Sequence, residues 1–171
     1  MLVRTTSMAR AVALAALVTY ALAIAQTTLG GRIAVWNVSP DLLLVWTMCL
    51  GLLAGPEVGA VTGFASGALQ GSLGQSLVGP LGISKTISGL AAGLLARRLF
   101  RDNWMVPAVC AVLLTVLNEA LFLLLCGFAS GHQAGRIIAV RVVYHAVLAP
   151  PFYALTARGR RALRPGPEPV V

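Results

Sequence analysis

The chain has 171 residues, of which 58% are hydrophobic and 11% are charged, and its mean hydropathy is +0.86. Soluble domains carry about 25% charged residues, so this composition excludes a soluble globule and indicates an integral membrane protein. We attribute the formal net charge of +8 to basic loops that fix membrane topology rather than to nucleic-acid binding, with docking to anionic lipids or to a partner as the alternative.

In chain order, a window of about 20 apolar residues predicts six transmembrane helices. The predicted spans are 11–29, 38–54, 57–70, 81–99, 104–128 and 137–156. A fourteen-residue helix covers about 21 Å, less than the ~30 Å hydrocarbon core, so the second and third spans are predicted to form either two crossings or a thin, re-entrant hairpin. The fold class is therefore all-α: one bundle of six transmembrane helices over residues 1–157, followed by a basic, proline-rich tail, 158–171, that we expect to be disordered.

The basic residues are distributed unequally between the two predicted sides of the membrane. Nine arginines flank the spans on the side of the termini: Arg4, Arg10, Arg97, Arg98, Arg101, Arg158, Arg160, Arg161 and Arg164. Only Arg32 and Arg136 fall on the other side. Because basic loops stay in the cytoplasm, both termini are predicted to be cytoplasmic.

Glycine recurs at every fourth position from Gly51 to Gly71, and Pro56 divides this series between two helices. In lipid, small residues at this spacing allow two helix backbones to approach closely. We expect the third span to pack internally against the fourth, or alternatively to receive the helix of a partner. The glycines predicted to line this contact are Gly59, Gly63, Gly67 and Gly71 in the third span, with Gly89 and Gly93 in the fourth.

A layer of polar residues is predicted inside the membrane, in the half of the bundle away from the termini. Its members are Lys85, Asn118, Glu119, Arg141 and His145. Charges within spans are costly and are candidates for function. Three interpretations are open: a Glu119 pair with Arg141 or Lys85 that fixes helix register, a site for a ligand or partner, or snorkelling of the two cations to the interface.

The residues form no recognisable catalytic or metal-binding constellation. The five acidic residues are scattered along the chain, and neither histidine has a second metal ligand nearby in sequence. Phe64-Ala65-Ser66-Gly67 is only a poor match to the serine loop of rhomboid proteases. We therefore expect no enzymatic activity, no cofactor and no metal.

The segment SPDLLLVWTMCLGLLAGPEVGAVTGFASGALQGSLGQSLVGPLGISKTISGLAAGLLARRL resembles the MreD family of bacterial rod shape-determining proteins. The order and spacing of several loose motifs carry the resemblance. The matching residues include Pro40, Asp41, Gly55, Pro56, Glu57, Gly63, Phe64, Gly67, Leu81, Gly82, Lys85, Thr86 and Gly89. One departure is Gly71, which follows Gln70 where the family often has an acidic residue after the third span.

This resemblance implies a non-enzymatic adaptor of the cell-elongation machinery in the bacterial inner membrane, supporting peptidoglycan synthesis and cell shape. The partners it implies are MreC, with the glycan polymerase RodA and penicillin-binding protein 2 in a larger complex. The alternative comes from another class: the bundle also resembles the six-helix substrate-binding component of energy-coupling-factor vitamin transporters, and the polar layer would then line a pocket for a small molecule.

Overall fold

The computed structural model describes residues 2–74, 77–97, 105–127 and 131–162. The described part is helical, and its one β-bridge joins Val35 and Val38. The helices are α1 (Leu2–Leu29), α2 (Leu42–Ala54), α3 (Pro56–Leu73), α4 (Val78–Ala96), α5 (Met105–Cys126) and α6 (Gly131–Ala162). By length and composition, four described segments could cross a membrane: Ala9–Leu29, Val78–Ala96, Met105–Cys126 and Ala134–Ala162.

Several helix ends differ from the predicted span limits. Helix α2 begins at Leu42 rather than at residue 38, because the Asp41 side chain accepts the backbone N–H of Leu44 and caps the helix there. Helix α3 is four residues longer than its predicted span, 18 residues against 14, which corresponds to about 27 Å. Helix α4 begins at Val78 instead of residue 81.

The start of the predicted tail is also different. Helix α6 continues to Ala162, so residues 158–162 are helical. Arginine and alanine are good helix formers, and Arg160 and Arg161 in the last turn favourably oppose the negative end of the helix dipole. The predicted ends at 98–99, 104 and 128, the arginines at 98, 101 and 164, and the tail from 163 to 171 lie outside the described residues.

The short helix α2 is the centre of the bundle. It contacts the other five helices, and Leu43 through Cys49 are all buried. Together with α4, α5 and α6 it builds the apolar core, in which Leu44, Met48 and Leu114 are almost completely enclosed. Because α2 is surrounded by protein, its length of 13 residues need not match the thickness of the bilayer.

Helices α3 and α4 pack antiparallel with their backbones in contact over their whole length. A methyl group at Gly67 would lie 2.6 Å from Cα of Gly82, and one at Gly71 would lie 2.7 Å from Cα of Val78. The backbones of Gly59 and Gly89 meet in the same way. Helix α4 thus fills the glycine groove of α3, which fits the internal-packing alternative described above.

The connection between α1 and α2 contains a tight turn whose central residues have left-handed backbone conformations. Val35 and Val38 exchange two backbone hydrogen bonds of 3.1 and 3.0 Å, and the two residues between them, Trp36 and Asn37, have positive φ angles of 51° and 66°. Positive φ at both central residues is the mark of a two-residue type I′ hairpin turn. We call the end of the bundle that carries this turn the α1–α2 end.

Candidate functional site: a buried polar network

The network is built around Asp41, which caps α2 at the α1–α2 end. One carboxylate oxygen accepts the Leu44 N–H at 2.9 Å and is 3.4 Å from the Gln26 amide nitrogen of α1. The Gln26 carbonyl accepts the Leu43 N–H at 3.1 Å. Because Leu43 and Leu44 are buried and their N–H groups cannot reach water, these side chains supply the acceptors that the start of α2 needs.

Lys85 of α4 donates to the other carboxylate oxygen of Asp41, and the two side chains form an ion pair. The Lys85 side chain is 0% exposed and that of Asp41 is 3% exposed. The lysine therefore points into the bundle, which contradicts the snorkelling alternative for this residue. A negative side chain at the N-terminus of α2 also interacts favourably with the helix dipole.

His145 of α6 connects the same point to α5. Its Nε2 accepts the backbone N–H of Asp41 at 3.0 Å, and its Nδ1 is 2.8 Å from the hydroxyl of Thr115. Since an imidazole nitrogen that accepts a hydrogen bond cannot carry a proton, the imidazole is neutral and Nδ1 carries its hydrogen. This assignment follows from the hydrogen-bond network.

Glu119 of α5 and Arg141 of α6 form a second ion pair, with 2.6 Å between the carboxylate oxygen and a terminal guanidinium nitrogen. The sequence predicted that Glu119 would pair with Arg141 or Lys85, and the structure contains the first of these pairs. Arg141 is 27% exposed, whereas Glu119 is 6% exposed. The Glu119–Arg141 pair therefore lies at the border of the bundle, whereas the Asp41–Lys85 pair lies in its interior.

The network carries no net charge, because two acids balance two cations around a neutral histidine. The sequence analysis offered Glu119 as the partner of either Arg141 or Lys85 and placed Asp41, the actual partner of Lys85, only among the family-motif residues. It also missed Thr115 and Gln26. The sequence does contain an indication for Thr115. It lies three residues before Asn118 and four before Glu119, and therefore on the same face of a helix.

Two polar atoms of the network have no hydrogen-bond partner within the described part of the chain. They are Oδ1 of Asn118, whose side chain is buried, and Nε of Arg141. One is an acceptor and the other a donor, and they belong to the neighbouring helices α5 and α6. The side chains of Asp41, Lys85 and His145 each have hydrogen-bond partners within the protein, and the network as a whole ties five helices together.

The motif residues of the turn between α2 and α3, Gly55, Pro56 and Glu57, are located at the opposite end of the bundle. Gly55, with a φ of 104°, joins α2 to α3, and Pro56 opens α3 in the first helical position, where proline is tolerated. This turn borders a cavity of about 260 Å³, which Glu57, Gly93, Arg97 and Arg160 also line. Phe64, by contrast, lies on the exposed face of α3.

In the described ranges, no group of three or more histidine, cysteine, aspartate or glutamate side chains is placed to hold a metal ion. The carboxylates of Asp41 and Glu119 are each occupied by a cation of the same chain. The interactions that the network makes are charge pairing and helix capping.

The fold and the network together define a polytopic helical membrane protein whose central helix is capped by charged and polar side chains from its neighbours. A model of the rod shape-determining protein MreD matches residues 7–158, nearly the whole chain. The chain belongs to the MreD family, and it is a multi-pass, rod shape-determining protein of the bacterial inner membrane. Comparisons with curated proteins and with solved structures gave no match.

Proposed function

We propose that this protein is a non-enzymatic adaptor of the cell-elongation machinery, which binds MreC and thereby supports peptidoglycan synthesis and rod shape. The observation that carries the proposal is the family match over residues 7–158. RodA and penicillin-binding protein 2 are the further members expected in the larger complex. The character of the polar network supports an adaptor, since its charged side chains pair with one another.

Six crossings of the membrane, with both termini in the cytoplasm, are part of the same proposal. Four helices have the length and composition of a span. Helix α2 lacks the length and α3 lacks the composition, but α2 is enclosed by its neighbours and α3 lies against α4 along the glycine groove. With this orientation, the α1–α2 end faces the periplasm and the Gly55–Glu57 turn faces the cytoplasm.

Within this adaptor, the polar network acts as the element that fixes the register of the helices. Asp41, Lys85 and His145 tie α2 to α4 and α6, and Glu119 and Arg141 tie α5 to α6. A transporter component, the alternative from another class, would instead need polar groups directed at a ligand. The two unpaired atoms, on Asn118 and Arg141, are the feature of the network that favours this alternative.

Co-purification tests the adaptor. The full chain with an affinity tag is co-expressed with MreC of the same bacterium, solubilised in mild detergent and purified through the tag. We expect MreC to be recovered with it. The controls are an unrelated polytopic protein with the same tag, and MreC with its transmembrane segment replaced by that of an unrelated protein.

Two results would contradict the adaptor. The first is failure to recover MreC when both proteins are present and folded in the same membranes. The second is recovery of MreC at the level of the unrelated control. Mass spectrometry of the purified protein for a bound vitamin-sized molecule distinguishes the transporter alternative, because a stoichiometric ligand is expected for a carrier and not for an adaptor.

A further inference from the structure

The turn between α1 and α2 places a large aromatic side chain where neither its backbone nor its packing favours it. Trp36 has a φ of 51° and is 70% exposed. The left-handed region is unfavourable for bulky residues, and asparagine or glycine is the usual occupant of such a turn. Asn37, the next residue, satisfies that preference, whereas Trp36 does not.

The turn is nevertheless firmly held. The paired hydrogen bonds between Val35 and Val38 close it, and the Tyr144 hydroxyl of α6 donates to the Ile33 carbonyl at 3.0 Å. The Arg136 guanidinium, also from α6, lies 5.7 Å from the centre of the Trp36 ring. Strained and exposed residues that the surrounding structure holds in place are frequently functional.

The side chains around the turn have the composition of a membrane interface. Ile33 and Val35 are 44% and 47% exposed beside Trp36. Residues 30–40 contain no acidic residue and include one arginine, Arg32. The connection that contains the turn begins directly after Leu29, the last residue of a candidate membrane span, so we expect it at the depth of the lipid headgroups.

We propose that Ile33, Val35, Trp36 and Arg136, which we call the Trp36 tip, form a phospholipid-binding anchor. The indole ring lies in the headgroup layer, where tryptophan is enriched because its ring is apolar and its N–H is polar. The Arg136 guanidinium, held over the ring, binds a lipid phosphate through charge-assisted hydrogen bonds. The lipid, rather than a protein, is favoured because the tip combines exposed apolar side chains with a cation and has no carboxylate, at the end of a span.

Fluorescence quenching by brominated lipids tests the anchor in the full chain, reconstituted in nanodiscs of phosphatidylcholine or phosphatidylglycerol. The contribution of Trp36 is obtained by subtracting the signal of the Trp36→Asn variant, which is compatible with the positive φ and lacks the indole. Trp36→Phe provides a second reference that keeps an apolar ring, in case the first variant does not fold.

We expect bromines near the headgroup end of the acyl chains to quench the Trp36 signal about twofold more than bromines near the chain ends, because the ring lies at the interface. Arg136→Gln should shift this ratio, whereas the matched change Arg32→Gln should leave it unaltered, since Arg136 is the arginine over the ring.

Strong quenching by aqueous iodide with none by brominated lipid would overturn the proposal and leave the tip to a protein partner. Stronger quenching by the deep bromines, or an unchanged ratio in Arg136→Gln, would also overturn it.

Discussion

At the residue scale, the two ion pairs differ in how completely they are removed from solvent. Lys85 and Asp41 are enclosed, while Arg141 is partly exposed beside Glu119. Removing one partner of a buried pair leaves an uncompensated charge, which costs more than losing the pair as a whole. A single substitution should therefore lower the stability of the protein far more in the interior pair, Asp41–Lys85, than in the peripheral pair, Glu119–Arg141.

We predict that Lys85→Met destabilises the protein by about 3–5 kcal/mol, because the Asp41 carboxylate is then buried without its cation. Asp41→Asn in the same chain should restore part of the loss, since asparagine can still cap α2. Arg141→Met is the matched change in the peripheral pair and should cost less. Thermal unfolding in detergent measures these three variants and Asp41→Asn alone; additive effects of the Asp41 and Lys85 changes would show that the pair is not coupled.

His145 should matter through its role as an acceptor for the Asp41 N–H. We predict that His145→Phe destabilises the protein by about 1–3 kcal/mol, because a buried donor at the start of α2 is left without a partner. His145→Gln should be milder, as its side-chain carbonyl can accept the same N–H. If both substitutions have equal effects in thermal unfolding, the hydrogen bond to the backbone is not what His145 contributes.

At the scale of elements, the contact between α3 and α4 depends on the absence of side chains at particular positions. We predict that Gly67→Ala destabilises the folded protein even though alanine favours a helix by about 1 kcal/mol over glycine. The added methyl would lie 2.6 Å from the backbone of Gly82, so the two helices must separate.

Gly79→Ala is the matched control for this prediction. Gly79 is also a helical glycine, in the first turn of α4, but a methyl group there would meet nothing within 4 Å. Its thermal stability in detergent should be equal to or above that of the unaltered protein. Equal stability of the two variants would contradict tight packing of α3 on α4, and loss of MreC from an otherwise stable Gly67→Ala variant would favour the partner-helix alternative.

The sequence predicted the positions of the helices better than it predicted the side-chain contacts between them. Hydropathy located all six helices, and the four-residue glycine spacing indicated the contact that α3 makes with α4. It misjudged the start of α2, because hydropathy does not register the capping side chain of Asp41. The Asp41–Lys85 pair was missed because its members are 44 residues apart and only the folded bundle brings them together.

At the scale of the whole molecule, the paired charges of the network and the exposed arginines lie at opposite ends of the bundle. The network lies near the α1–α2 end, while Arg97, Arg158, Arg160 and Arg161 lie at or near the ends of α4 and α6 on the opposite side. Basic residues at span ends are retained in the cytoplasm. The internal charges are balanced and exert no such preference, so the exposed arginines should determine the orientation.

We predict that both termini are cytoplasmic and that the connection between α3 and α4 is periplasmic. Reporter fusions after residue 164 and within residues 71–79 should show opposite sidedness, because an even number of crossings separates the two termini and an odd number separates this loop from either of them. As a control, a fusion at the Gly55–Glu57 turn should report the cytoplasm if α2 and α3 each cross the membrane. A periplasmic signal there, together with a periplasmic signal in the 71–79 loop, would mean that α2 and α3 form a re-entrant hairpin, and the same sidedness for residue 164 and the loop would refute the six-crossing topology.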